Sequence, residues 1–183
     1  MDIKKICDNE IYSNKDIPIN ISKDILNFAE SGFKEIKTSK KVLDLFKSLG
    51  QKKIDTEIAL TGLKTTLDTG REGPNIAVIG ELDGLPVPGH PHENKENGYA
   101  HACGHHAQIG SIFTVFIGLS NQKILSNLCG KITFIAVPAE EFVEIEWRNK
   151  LRENGHIEFL AGKQEMIKDG HFDDIDIAMM THT

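Results

Sequence analysis

The sequence contains few cysteines, no long apolar run and no excess of positive charge. Cys7, Cys103 and Cys129 form an odd set without the spacing of a disulfide framework, which indicates free thiols in a reducing compartment. The longest apolar runs, at residues 76–79 and 132–137, are far too short to cross a bilayer. Because the N-terminus also lacks the apolar stretch of a signal peptide, we expect a cytoplasmic protein without a membrane partner.

Charge and composition narrow the class of protein further. Lys and Arg number 21 against 27 Asp and Glu, so the formal net charge is −6 and the pI is about 5.7. This balance argues against a broad phosphate-binding surface, and we expect no nucleic-acid partner. With 39% hydrophobic residues, 16 Gly and 6 Pro, the chain of 183 residues is neither collagen-like, mucin-like nor disordered. It is long enough for one domain with a core.

The spacing of apolar residues predicts alternating helices and strands. Helical periodicity occurs over residues 20–30, 39–49 and 102–119, with a shorter helix over 142–152, and Gly50 stands where a left-handed C-terminal cap is wanted. Buried strands are predicted at 76–79, 131–138 and 175–183, and a weaker strand at 61–67. This alternation predicts a three-layer αβα fold with a mostly parallel sheet.

Polar residues that could act in catalysis or metal binding follow the predicted strands. Asp83, the segment HACGHH at 101–106, the pair Glu140-Glu141 and His182 each lie at or after a strand end. In α/β sheets of this kind, ligands bind beyond the carboxyl ends of the strands. We therefore expect four separate pieces of the chain to converge on one edge of the sheet.

Two of these pieces carry groups that favour a metal ion. Cys103 and His105 are one residue apart, and thiolate and imidazole both bind zinc-like ions, although a buried Cys beside a His can also be a packing feature. Glu140 and Glu141, placed together at a buried strand end, would repel each other and lose hydration unless a cation or proton compensates. The alternative for the glutamates is a solvated loop.

The other two pieces are ambiguous on local grounds. Asp83 could orient a ligating histidine from behind, or it could be a turn-forming residue before Gly84. His182 would usually be structural and gains significance only from the edge that it shares with the others.

The motif series GELDGLP, AHACGHHAQIG, VPAEEFVEIEWR and FDDIDIAMMTHT resembles the amidohydrolase branch of metallopeptidase family 20. That branch includes hippurate, indole-acetyl-amino-acid and aminobenzoyl-glutamate hydrolases, and the likeness runs from about Ile19 to the last residue. It implies a zinc-exopeptidase-like catalytic domain, of which residues 1–183 would be the truncated N-terminal part, without the smaller lid or dimerisation domain. Since the chain ends inside a predicted strand, we expect these residues alone to be a poor or inactive hydrolase.

The resemblance also implies roles for individual residues. Glu140 would be the general base, and the metal ligands would be Cys103 (bridging two metals), His105, Glu141 and His182. Asp83 would contact the ligands and hold them in place without binding metal itself. His101, His106, His90 and His92 would contact either the substrate or the ligands, and His106 departs from the family because many relatives carry Asp or Asn there.

The activity implied is metal-dependent hydrolysis of an amide bond. The substrate would be an N-acyl amino acid, an aminobenzoyl-glutamate-like conjugate or a small peptide with a free carboxylate. The cofactors would be two divalent ions, zinc or manganese first, with cobalt or nickel as alternatives. Full-length members of the family would be homo-oligomeric. Two other interpretations remain at this point: a non-catalytic metal-binding fragment of such an enzyme, and a structural zinc site on an unrelated α/β domain.

Overall fold

The computed structural model describes residues 2–182, which alternate between helices and strands. The helices are α1 Ile3–Ser13, α2 Asp16–Leu26, α3 Ile36–Ser48, α4 His105–Ser120, α5 Gln122–Leu125, α6 Ile145–Glu153 and α7 Gly162–Lys168. The strands are β1 Ile54–Ile58, β2 Gly62–Asp68, β3 Asn75–Glu81, β4 Leu85–Pro86, β5 Tyr99–Ala100, β6 Lys131–Val137 and β7 Ile177–Met180. Strands β4 and β5 pair with each other in the loop between β3 and α4, apart from the main sheet.

The main sheet has the strand order β1-β2-β6-β3-β7. Strand β3 is parallel to both β6 and β7, whereas β2 is antiparallel to β1 and β6. Four of the five strands therefore point the same way, which confirms the mostly parallel sheet. As a consequence, β3, β6 and β7 all end at one edge, and the segments that follow them meet there.

Helices cover both faces of the sheet, which confirms the three-layer arrangement. In β6, Ile132 and Phe134 face the helices α2, α3 and α4, whereas Ile135 and Val137 face the opposite side, where Met166 of α7 packs. This two-residue alternation along a strand that is buried on both faces explains its nearly continuous apolar sequence.

The larger core contains a cluster of phenylalanines. Phe46 of α3 lies between Phe113 and Phe116 of α4, with ring centroids 4.5 and 5.3 Å away, and Phe134 of β6 closes the cluster from below. All four rings are at most 2% exposed. None of the helices within residues 2–182 combines the length and the apolar character that a membrane crossing requires.

Most of these elements were predicted from the sequence, but several begin or end at residues other than those predicted. The predicted helix at 20–30 is α2, which begins and ends four residues earlier, and α3 begins at Ile36, before the start predicted at residue 39. Gly50 has φ +91° after α3, as predicted for a left-handed cap. Six elements were not predicted, namely α1, β1, β4, β5, α5 and α7.

The third strand predicted near the C-terminal end is present, but the prediction that it is buried was wrong. Strand β7 covers residues 177–180, and Ile177, Met179 and Met180 are 40–59% exposed. The physical reason is its position at the end of the strand order, where it pairs only with β3 within the described residues. The last predicted residue of that strand, Thr183, lies outside the described part of the chain.

Candidate metal centre

The predicted site residues meet at the carboxyl edge of the sheet. Cys103 lies in the turn directly before α4 and His105 begins this helix, the two glutamates follow β6, and His182 follows β7. The Sγ atom of Cys103 lies 3.4 Å from Nε2 of His182. Nε2 of His105 lies 3.9 Å from a carboxylate oxygen of Glu140 and 3.9 Å from one of Glu141. The structure therefore brings together thiol, imidazole and carboxylate groups from three segments.

The ring of His105 has a defined orientation. Its Nδ1 atom lies 2.8 Å from the backbone oxygen of Asp83, and because a carbonyl oxygen only accepts, Nδ1 carries the hydrogen. Nε2 then faces the site. The side chain is 1% exposed, so Nε2 holds either a proton that it shares with a neighbouring carboxylate or a metal ion.

Asp83 holds two neighbouring parts of the site in place. Its carboxylate accepts a hydrogen bond from the backbone N–H of Glu141 at 2.9 Å and lies 3.3 Å from Nδ1 of His105. The side chain is completely buried. Of the two interpretations that the sequence left open, this placement favours orientation of the histidine over simple turn formation.

Glu81, at the end of β3, is a site residue that the sequence analysis missed. It is 1% exposed, and its Oε2 atom lies 2.9 Å from Nε2 of His105 and accepts a hydrogen bond from Gln108 at 3.1 Å. Its other oxygen binds the ammonium group of Lys163. The signal was present in the motif GELDGLP, where Glu81 is a charged residue that ends an apolar strand.

The ligand atoms within residues 2–182 form two overlapping groups that could hold a metal ion. One contains Cys103, His105 and His182, and the other contains Glu81, His105 and Glu140. In each group the ligand atoms lie within 4.8 Å of one another. Glu141 is in neither group, but its Oε1 atom is buried beside them without a hydrogen-bond partner.

The electrostatics of the site favour a cation. Burial lowers the pKa of His105, but the carboxylates of Asp83 and Glu81 outweigh burial and raise this pKa to about 11. Burial also raises the pKa of the Cys103 thiol, and the carboxylate of Glu141 raises it further. Buried carboxylates that stabilise a proton on His105 would equally stabilise a metal ion, which would displace that proton.

The donor set fits a metal of the zinc type. Oε1 of Glu141 is buried without a hydrogen-bond partner, which is costly unless a further group binds there. A mixture of sulfur, nitrogen and oxygen ligands suits zinc and its neighbours in the first transition row. The residues present therefore fit divalent metal ions.

A strained turn presents the two glutamates to this site. Ala139, directly before Glu140, has φ +50°, a conformation that costs energy for a residue with a side chain. The buried carboxylate of Glu35 accepts the N–H of Ala139 at 2.7 Å, and the N–H of Gly162 binds its carbonyl oxygen at 3.2 Å. These contacts hold the turn from both sides.

The four other histidines for which the sequence predicted a contact with substrate or ligands are outside the two groups. His101 is 3% exposed, and burial followed by the neighbouring His106 lowers its pKa to about 3. The ring centroids of His101 and His106 are 5.8 Å apart. His90 and His92 lie in the loop between β3 and α4, with ring centroids 6.0 Å apart.

Fold and site together define the class: an α/β domain with a candidate metal centre of sulfur, nitrogen and oxygen ligands at the carboxyl edge of its sheet. The sequence model of peptidase family M20/M25/M40 matches residues 77–181. This range includes every residue of the candidate centre except His182. The chain therefore belongs to that family.

Two curated relatives and one solved structure illustrate the likeness. An N-acetyldiaminopimelate deacetylase from Brevibacillus brevis is 31% identical over 66% of this chain and 32% of its own length. An N-acetylcysteine deacetylase from Bacillus subtilis is 30% identical over 67% of this chain and 33% of its own length. A Bacillus subtilis protein described as a dinuclear metal binding peptidase of family M20 superposes with a TM-score of 0.68 at 26% identity, covering 88% of this chain and 40% of that one. The chain thus spans about a third of the length of these curated relatives.

Proposed function

We propose that this chain carries the metal centre of a hydrolase that cleaves the amide bond of N-acyl amino acids. The observation that supports the proposal most directly is the convergence of Cys103, His105, His182 and the two glutamates on one sheet edge. The names of the two curated relatives specify removal of an acetyl group from an amino-acid nitrogen. We extend to this chain only the shared class, an amide between an acyl group and an amino acid with a free carboxylate.

The centre would hold two divalent metal ions, as the related Bacillus subtilis peptidase does. Cys103, His105, Glu141 and His182 are the proposed ligands, with zinc or manganese as the first candidates. When bound, such ions supply Lewis-acid activation of water and of the amide carbonyl.

Glu140 is the proposed general base. Its side chain is 35% exposed, whereas that of Glu141 is 17% exposed and has a buried oxygen beside Cys103, so Glu140 is better placed to reach substrate and water. Burial and the charge of Glu81 raise the pKa of Glu140, which makes it a stronger base than an ordinary glutamate. Glu140 would accept a proton from the attacking water and pass it to the departing amine nitrogen.

The two glutamates provide the test. In a protein of the full length of the curated relatives, Glu140→Gln should reduce turnover of N-acetyl amino acids by about a hundredfold to ten-thousandfold while metal content stays unchanged, because it removes a base and not a ligand. Glu141→Gln should reduce turnover and also lower the metal content after dialysis. Metal is measured by elemental analysis, and turnover by release of the free amino group.

The same measurements decide against the proposal if it is wrong. Wild-type protein that binds no zinc or manganese would refute the metal centre. Metal binding without turnover of any acyl amino acid would favour the non-catalytic alternative. If Glu140→Gln lost metal more readily than Glu141→Gln, Glu140 would be the ligand and Glu141 the base.

A further inference from the structure

Phe142 is an exposed aromatic residue directly beside the two glutamates of the candidate metal centre. The residue is 62% exposed, whereas the side chains of Glu140 and Glu141 are 35% and 17% exposed. Since consecutive Cα atoms are about 3.8 Å apart, the Cα atom of Phe142 lies at most about 7.6 Å from that of Glu140. A large apolar ring is therefore open to solvent at the point where the proposed substrate must approach.

A tight turn holds Phe142 at the tip of a short loop. The N–H of Val143 donates to the carbonyl oxygen of Glu141 at 2.9 Å, which closes a three-residue turn centred on Phe142. Such a turn fixes the backbone of its central residue. Phe142 therefore has a defined position beside Glu141, which the proposed function assigns to the metal.

The loop that carries Phe142 is also anchored at both ends. One end is the strained turn at Ala139, which hydrogen bonds hold from both sides. At the other end, Glu144 has φ +51°, and its carboxylate accepts hydrogen bonds from the hydroxyl of Ser31 and the ammonium group of Lys34. Folding Phe142 back onto the core would break these contacts, so the exposure of its ring is a property of the fold.

The exposed ring of Phe142 offers apolar surface to a ligand. Removing a side chain of this size from water is favourable, and a ligand that covers the ring gains that contribution. Ile177, Met179 and Met180 are also exposed, but the position of β7 at the end of the strand order accounts for them. Phe142 lies on a loop beside the proposed general base. A substrate whose amide lies beside Glu140 would bring its acyl group and its amino-acid side chain close to this ring.

We propose that Phe142 is a specificity-determining residue, which contacts an apolar group of the substrate and favours N-acyl amino acids that carry a large one. This group belongs either to the acyl part or to the amino-acid side chain, since both flank the amide. The inference rests on the proposed function for the reaction, and it adds a preference for large apolar substrates over N-acetylglycine. Phe142 takes no part in bond cleavage in this scheme.

The experiment compares kcat/KM for two substrate series in a protein of the full length of the curated relatives. One series varies the acyl group on glycine through acetyl, butanoyl and benzoyl. The other keeps the acetyl group and varies the amino acid through glycine, leucine and phenylalanine. Phe142→Ala should lower the ratio of kcat/KM for the largest substrate to that for N-acetylglycine by about tenfold or more, mainly through KM. Phe142→Leu should retain most of the ratio, because it keeps an apolar surface. The series that responds identifies the group that the ring contacts.

Binding provides a second measurement that does not depend on turnover. In the metal-loaded Glu140→Gln protein, Phe142→Ala should raise the dissociation constant of the responding large substrate by about tenfold, as measured by calorimetry. A second exposed phenylalanine provides the matched control. Phe159 is 44% exposed and lines a separate polar cavity with Arg152 and Lys168, so Phe159→Ala should leave the ratio and the binding unchanged.

The outcomes separate this inference from the proposed function. A ratio in Phe142→Ala within about threefold of wild type would overturn the inference alone, and so would an equal loss for all substrates including N-acetylglycine. An unchanged ratio with lower stability in urea would show that the ring packs on another part of the protein, which also overturns the inference. Wild type that hydrolyses none of the substrates would overturn the proposed function and the inference with it.

Discussion

Glu35 offers a test of how the fold supports the site. This carboxyl is 0% exposed, accepts the N–H of Ala139 and shares a hydrogen bond of 2.5 Å with the hydroxyl of Thr61. Burial, followed by the negative charge of Asp83, raises its pKa from 4.5 to about 8. We expect Glu35→Gln to make the protein more stable than wild type at pH 8, because the amide retains both contacts without a titrating proton.

The sign and the size follow from proton linkage. Folded protein keeps the Glu35 proton up to about pH 8, whereas the unfolded chain releases it above about 4.5, so wild type loses stability as pH rises through this interval. Since one pH unit corresponds to about 1.36 kcal/mol, the full interval sets an upper limit of about 5 kcal/mol. Partial relaxation reduces the effect, and we expect a gain of at least about 1 kcal/mol for the variant between pH 5 and pH 8.

Urea unfolding of both proteins at pH 5, 6, 7 and 8, in the presence of a chelator, measures this gain. The difference in free energy of unfolding between Glu35→Gln and wild type should grow steadily with pH. Using the difference cancels the contributions of titrating groups that do not interact with Glu35. A difference that stays constant across the four pH values would refute the reasoning.

Two further predictions concern the ligands and the core. Asp83→Ala should weaken metal binding by about tenfold to a hundredfold, because it removes the carboxylate beside the ring of His105 and the acceptor of the backbone N–H of Glu141. A metal titration that matches wild type would contradict this role. Phe113→Ala should lower the free energy of unfolding by about 3–5 kcal/mol in urea, because it leaves a cavity beside Phe46, and a loss below about 1 kcal/mol would show that the core refills.

The sequence was sufficient for the elements whose apolar pattern reflects burial on two sides. Strand β6 was predicted to within one residue, since its residues face helices on both sides of the sheet. Helix α1 has no fully buried residue, so its apolar pattern is weak and it was not predicted. The burial of β7 could not be predicted because it depends on which strands and helices cover it, and those contacts are not encoded in the strand itself.

The site residues likewise divide into those that could be identified from the sequence and those that could not. Cys103 and His105 were found because they are neighbours in sequence, and Glu140 because two adjacent carboxylates after an apolar strand are unusual. Lys163 could not be found in this way, since a lysine at the start of a short helix ordinarily faces solvent. Its contact with Glu81 joins residues on different elements and is visible only in three dimensions.

The centre draws on residues from the ends of β3, β6 and β7, so the unfolded chain has no preformed site. A metal that binds only the folded state stabilises it by mass action, by about 2.7 kcal/mol when the free ion is at a hundred times its dissociation constant. Cys103 and His182 are far apart in sequence, and an ion held between them would act as a removable crosslink between α4 and the end of β7. Metal supply would then set the lifetime of the folded protein in addition to its chemistry.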